Sequence, residues 1–167
     1  NFDGFSGALQ VGFDDYKTAV NSAGRGVSLN LGYANVQVAV VLAYQDDKDN
    51  TGAAADKTVA LGGSYDFGVA KLNLGYGRTD NVIGTNDGSL VSVGVTVPVD
   101  AFTFVGQFAQ GEVSNVDGNA RSFALEGRYA LSKRTTAYAG YNNTKSNVGI
   151  AADQKTNRFG VGIRHVF

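Results

Sequence analysis

Cysteine is absent from all 167 residues, which removes a disulfide framework, a thiolate metal site and thiol chemistry together. Methionine is absent as well. Proline occurs once, at Pro98, and histidine once, at His165, so a His-rich metal site is excluded. Neither sign of charge dominates. Fourteen basic residues stand against 15 acidic ones, and nucleic acid is not an expected partner. The longest unbroken apolar run, Val38 to Tyr44, is far short of the ~20 residues that a membrane-spanning helix needs. No window places apolar residues at i, i+3, i+4 and i+7. The chain opens at Asn1 without a signal-peptide pattern, as expected of a processed form, an interior fragment or an engineered piece.

What the sequence does hold is glycine and alternation. Glycine accounts for 23 of 167 residues, about twice the usual ~7%. Apolar residues are plentiful and regularly placed, which argues against disorder. They recur with period two, the signature of strands. The length suits one domain, residues 1–167.

The alternation predicts ten strands, at about 4–14, 26–34, 36–45, 57–67, 69–78, 89–98, 101–111, 120–130, 134–143 and 156–167. Each is close to the ~9–11 residues with which a tilted strand crosses a bilayer. The connections alternate in length. Short ones fall near Asn35, Gly68, Val99 to Asp100 and Leu131 to Lys133, with Ser132 in the last. Long ones run from Asp15 to Arg25, Asp46 to Asp56, Thr79 to Gly88, Glu112 to Asn119 and Thr144 to Lys155. Asp47, Asn86, Asp117 and Asn147 are thereby expected in loops on one side. Tight turns on one side and long loops on the other are the plan of an antiparallel outer-membrane barrel.

One face of each strand is apolar: Phe5, Leu9, Val11 and Phe13 in the first; Val36, Val38, Val40, Leu42 and Tyr44 in the third; Phe159, Val161, Ile163 and Phe167 in the last. The other face is small or polar, as in Ser28, Asn30 and Gly32, or Thr58, Ala60, Gly62 and Ser64. In the ninth strand Tyr138 falls opposite Ala137, Ala139 and Tyr141 and leaves the faces ambiguous. A soluble barrel or sandwich also has one apolar face, turned to its core. The aromatics decide between the two. Phe5, Tyr33, Phe67, Phe102, Tyr129 and Phe167 lie toward the short turns. Phe13, Tyr44, Tyr76, Phe108, Phe123, Tyr141 and Phe159 lie toward the long loops. Six and seven make thirteen of the 18 aromatics, 10 Phe and 8 Tyr, in two belts at strand ends. Interfacial girdles are arranged this way, whereas a soluble core puts its largest side chains in the middle. Leu9, Val40, Leu74, Val93, Leu125 and Ile163 are therefore expected to face lipid, and Ser28, Gly62, Asn73 and Arg128 the lumen.

The closing run Phe159-Gly-Val-Gly-Ile-Arg-His-Val-Phe167 resembles the last strand of the Gram-negative general porins, in which a C-terminal Phe belongs to the assembly signal. His165 departs from the broad pattern, which has an apolar or aromatic residue there, although Gly-Ile-Arg-His-x-Phe is similar to one branch. Asn1-Phe-Asp-Gly-Phe-Ser-Gly-Ala-Leu-Gln resembles the start of a mid-chain strand, and Tyr129-Ala-Leu-Ser-Lys-Arg-Thr-Thr the last short periplasmic turn. The resemblance implies an all-β antiparallel transmembrane barrel of sixteen strands, of which these ten are the C-terminal portion, and a homotrimer. A second chain or fragment would then supply the missing strands, including the loop that narrows the pore. The alternative is a small closed barrel serving as an anchor or adhesin through its loops.

Parity assigns Lys71, Glu126, Arg128, Arg158 and Arg164 to the lumen as pore-lining residues, with Asp14 and Asp66 near strand ends. A predominantly basic wall enriches anions and resembles the arginine ladder of porins. The bland alternative is hydrated charge, with Glu126 pairing Arg128 or a neighbour. The inner face is rich in Gly, Ala, Ser and Thr, which suits a water-filled lumen better than a plugged one. The expected function is an outer-membrane pore for passive diffusion of ions and small hydrophilic solutes, with mild anion preference. Its surroundings would be outer-membrane lipid and lipopolysaccharide. No cofactor, metal or catalytic residue is expected. Asp47-Lys-Asp49-Asn-Thr-Gly52 matches a calcium loop poorly, with Thr58 where the bidentate Glu belongs. A solvated acidic loop, able to bridge to lipopolysaccharide through divalent ions, fits better. Asn142-Asn-Thr144 is a coincidental glycosylation sequon. Gly75-Tyr-Gly77 lies within a strand and is no phosphate loop. No nucleophile elbow exists, and an outward His165 cannot act as a base in the lumen.

Overall fold

A computed structural model describes residues 3–13, 25–48, 54–81, 87–114, 116–149 and 153–167. They form ten strands: β1 (Phe5–Phe13), β2 (Arg25–Ala34), β3 (Val38–Lys48), β4 (Ala54–Asp66), β5 (Lys71–Asn81), β6 (Gly88–Val99), β7 (Phe102–Val113), β8 (Asn119–Ser132), β9 (Thr135–Ser146) and β10 (Gln154–His165). Each pairs antiparallel with the next, in one sheet of order β1 to β10. Among the described residues β1 and β10 pair only with β2 and β9, so they are the two edges of the sheet.

Because consecutive strands are antiparallel, the short turns gather on one side and the long connections on the other. The turns follow from local chemistry. Asn35 Oδ1 accepts from the amides of Gln37 (2.9 Å) and Val38 (2.7 Å), an Asx turn that reverses the chain before β3. Gly68 has φ +84°, and its amide donates to Asp66 Oδ1 at 2.8 Å. Asp100, at φ 51°, sits in the two-residue connection between paired Val99 and Phe102. Tight hairpins of right-twisted strands need such left-handed residues.

Three sequence expectations are corrected at these ends. Val36 and Val69 belong to turns rather than to strands, because the Asx turn and the Gly68 turn consume them. Ser132 closes β8 beside a register shift opposite Thr135, and the turn proper is Lys133 and Arg134. Asp47 lies in β3, in register with Asp56 of β4, and not in a loop. Ladder hydrogen bonds carry both strands beyond their apolar segments. Asp117 and Asn147 lie in connections on the long side as expected, while Asn86 and Asp14 fall outside the described residues.

Among the described residues not one side chain is buried, and the sheet has no core. The two faces nevertheless differ. In β4, Asp56, Thr58, Ala60, Gly62, Ser64 and Asp66 are half-buried, while Lys57, Val59, Leu61 and Tyr65 are exposed. In β8, Ser122, Ala124 and Glu126 are half-buried, while Phe123 and Leu125 are exposed. The small polar face is thus the sheltered one, as on the concave side of a curling sheet. The large apolar face is bare. Leu9 is 69% exposed, Leu125 50% and Ile163 69%. A water-soluble protein is built the other way round.

Register carries the two faces across all ten strands. Tyr33, Val40, Gly63, Leu74, Val93, Phe108 and Phe123 form one continuous cross-strand row of the apolar face. Toward the short turns that face ends in touching aromatics: Phe5 and Tyr33 at 4.8 Å between ring centroids, Phe102 and Tyr129 at 4.6 Å. Tyr65 and Phe67, at 4.5 Å, extend the belt. Tilted ring pairs at these separations contribute about 0.5–1.5 kcal/mol beyond burial. The uncertain ninth strand is settled by pairing. Tyr138 stands opposite Arg128 and Gly162, on the polar face, while Ala137, Ala139 and Tyr141 join the apolar one.

Candidate functional site: the concave face

The concave face is built mostly from small and polar residues set in register across the ladders. Gln10, Ser28 and Gln45 are neighbours in register on β1, β2 and β3. Thr58 and Thr79 meet at 3.0 Å between hydroxyl oxygens on β4 and β5. Asn142 of the sequon is in strand β9, where its Nδ2 donates to Ser122 Oγ at 2.9 Å. Small side chains and mutual polar contacts give this face a polar surface without bulky filling.

All five sequence-predicted residues lie on this face. Lys71 opens β5 in register with Asp66 and Thr96. Glu126 and Arg128 lie two apart on β8, and the Arg128 guanidinium donates to Glu126 Oε1 in a partly exposed ion pair. The bland reading of Glu126 therefore holds for Arg128. Arg158 stands opposite Asn142, and Arg164 opposite Thr136. Among the described residues no ion pair involves Arg158, Arg164 or Lys71. The structure thus gathers three arginines on β8 and β10, neutralises one with Glu126, and sets Lys71 apart on β5.

Sequence reasoning missed three contributors. Tyr138 lies beside Arg128, and a side chain at Gly162 would collide with its ring, so that glycine leaves the space the tyrosine uses. Asp47 and Asp56 are on the concave face at the long-connection rim. Asp47 Oδ2 accepts from Gln45 Nε2 at 2.6 Å, and Asp47 overlies Gly26. Only register, not composition, could have found them. The acids cluster on β3 and β4 and the arginines on β8 and β10, so charge is segregated around the wall.

His165 faces the apolar side. Its Nδ1 is 2.9 Å from Thr135 Oγ1, and its ring meets Phe167 edge-on at 4.7 Å. That is the setting of an interfacial residue, away from the polar face. Of the acidic Asp47 to Gly52 segment, residues 49–52 lie outside the described residues.

Residues 1–149 match the family model described as Gram-negative porin. Over its full length the chain is 33% identical to an outer membrane porin protein of Bordetella pertussis, of which it covers 55%. It is 29% identical to outer membrane porin protein 32 of Delftia acidovorans, of which it covers 54%. The anion-selective porin from Comamonas acidovorans superimposes with a TM-score of 0.83 at 27% identity, over all of this chain and 57% of that one. The chain spans about half the length of the curated relatives it matches.

Proposed function

Because this chain belongs to the Gram-negative porin family, whose place is the bacterial outer membrane, we propose that it walls a water-filled channel for passive diffusion of ions and small hydrophilic solutes. One observation carries the reading. The apolar face is the bare one and the polar face the sheltered one in the interior strands, most clearly β4 and β8, as a wall between lipid and water requires. The concave residues Lys71, Glu126, Arg128, Arg158 and Arg164 line the channel. Arg158 and Arg164 tilt it toward anions, in keeping with the anion-selective porin that this chain resembles. The reading is of a channel and not an enzyme. His165, turned toward lipid, has no part in transport.

Strands from outside these residues complete the wall between β1 and β10, as one sixteen-stranded domain that trimerises. The unpaired edges support this, since an open sheet edge is not tolerated in hydrocarbon. The test is swelling of vesicles carrying the complete pore, in sugars of graded size. Entry rates should fall smoothly with solute size and show no saturation. Saturable uptake of one sugar, or no uptake of any, would defeat the proposal.

A further inference from the structure

We infer that Tyr138 and Arg164 together form a site in the channel wall for anions that carry a planar aromatic ring, of the benzoate class. The inference rests on the concave face lining the channel, as proposed above. Among the described residues Tyr138 is the one aromatic side chain on the polar face. Every other described Phe and Tyr lies on the apolar face or in a turn.

Glycine makes the place for this ring. Tyr138 is in register with Gly162 of β10 and with Arg128 of β8. A Cβ on Gly162 would lie 2.5 Å from Tyr138 Oη and 2.6 Å from Cζ. The phenol end therefore fills the space of the missing side chain, and the ring lies across β10 against the wall. It is 41% exposed, so it keeps surface open to the lumen. In the next row toward the long connections Gly140 stands opposite Gly160, and a Cβ at Gly160 would meet nothing within 4 Å. No side chain from that row closes over the ring.

The cation follows from register. Arg164 is two residues beyond Gly162 on the same face, about 7 Å along β10. Among the described residues no carboxylate pairs with it. Arg128, on the other flank of the ring, is neutralised by Glu126. Uncompensated positive charge thus lies on the β10 side, toward which the phenol leans.

The two groups select a ligand by their chemistry. The face of a ring carries the negative part of its quadrupole, so chloride gains nothing over it, whereas a second ring packs offset or edge-on. An arginine takes a carboxylate through two parallel, charge-assisted hydrogen bonds. Benzoate satisfies both groups, with its ring on Tyr138 and its carboxylate on Arg164. An aliphatic acid of the same size and charge satisfies only the arginine.

The experiment places the complete pore in planar bilayers across a sodium chloride gradient at neutral pH. Benzoate or cyclohexanecarboxylate is added equally to both sides. An anion held on Arg164 cancels its charge and moves the reversal potential toward cation preference. Benzoate should reach half of this shift at a concentration about threefold below that of cyclohexanecarboxylate. Tyr138→Phe, which keeps the ring, should keep the difference, and Tyr138→Leu should abolish it. Arg164→Gln should remove most of the shift with either anion. Equal half-concentrations in wild type overturn the site, whatever the variants do. So does a difference that survives in Tyr138→Leu or is lost in Tyr138→Phe, and so does an undiminished shift in Arg164→Gln. Chloride current is recorded before each addition. A conducting pore indifferent to the ring refutes only this site, and a wild-type protein without chloride current refutes the channel itself.

Discussion

Replacing Leu125 with arginine is expected to destabilise the folded porin by about 2–4 kcal/mol, whereas Ser28→Arg should leave stability within about 0.5 kcal/mol. Leu125 lies on β8 between Phe123 of one belt and Tyr129 of the other, in register with Gly106 and Tyr141. A guanidinium there faces hydrocarbon, and a side chain in mid-membrane has the longest reach to either interface. Ser28 is flanked in register by Gln10 and Gln45 on the concave face, where an added cation meets water and polar side chains. Urea titration of each variant folded into vesicles measures both values. Equal losses at the two positions would mean that the faces do not separate lipid from water.

Arg158→Glu together with Arg164→Glu should turn the complete pore from anion preference to cation preference. Each substitution changes the wall by two charges, on the strand where the described arginines have no acidic partner. A unit charge at 4 Å in water is worth about 1 kcal/mol, roughly fivefold in the local concentration of a passing ion. The effect should be greatest at 0.01 M salt, where screening reaches about 30 Å, and should shrink at 1 M, where it reaches about 3 Å. Arg128→Ala, by exposing Glu126, should move the preference in the same direction by a smaller step. Reversal potentials across a salt gradient in planar bilayers read all three proteins. An unchanged potential in the double variant would show that these arginines do not set the preference. Asp47 and Asp56 at the rim should oppose them and keep the proposed anion preference mild.

The number of strands, their faces and the two belts were legible in the sequence because each rests on a local rule. Alternation gives the faces, and an aromatic at a strand end gives the belt. The polar tips were not legible. Asp46, Asp47, Lys48 and Asp56 read as a loop by composition, yet ladder pairing continues through them. Tyr138 was ambiguous for a similar reason: its own strand carries aromatics on both faces, and only its partners Arg128 and Gly162 decide. Val36 looked like the start of an apolar stripe, but the Asn35 side chain binds the following amides and turns the backbone there. Tyr138 and Gly162 stand 24 positions apart in the chain (162 minus 138), a proximity that pairing alone creates.

The most direct test is a spin-label scan along β8, from Phe123 to Arg128, in the complete porin reconstituted into vesicles. Each position in turn carries a single cysteine, which the natural chain lacks, and a nitroxide. Collision rates with oxygen, which concentrates in lipid, should peak at positions 123, 125 and 127. Rates with a water-soluble nickel chelate should peak at 124, 126 and 128, in opposite phase. Oxygen and chelate profiles that rise and fall together, or that show no period of two, would contradict a wall with lipid on one face and water on the other.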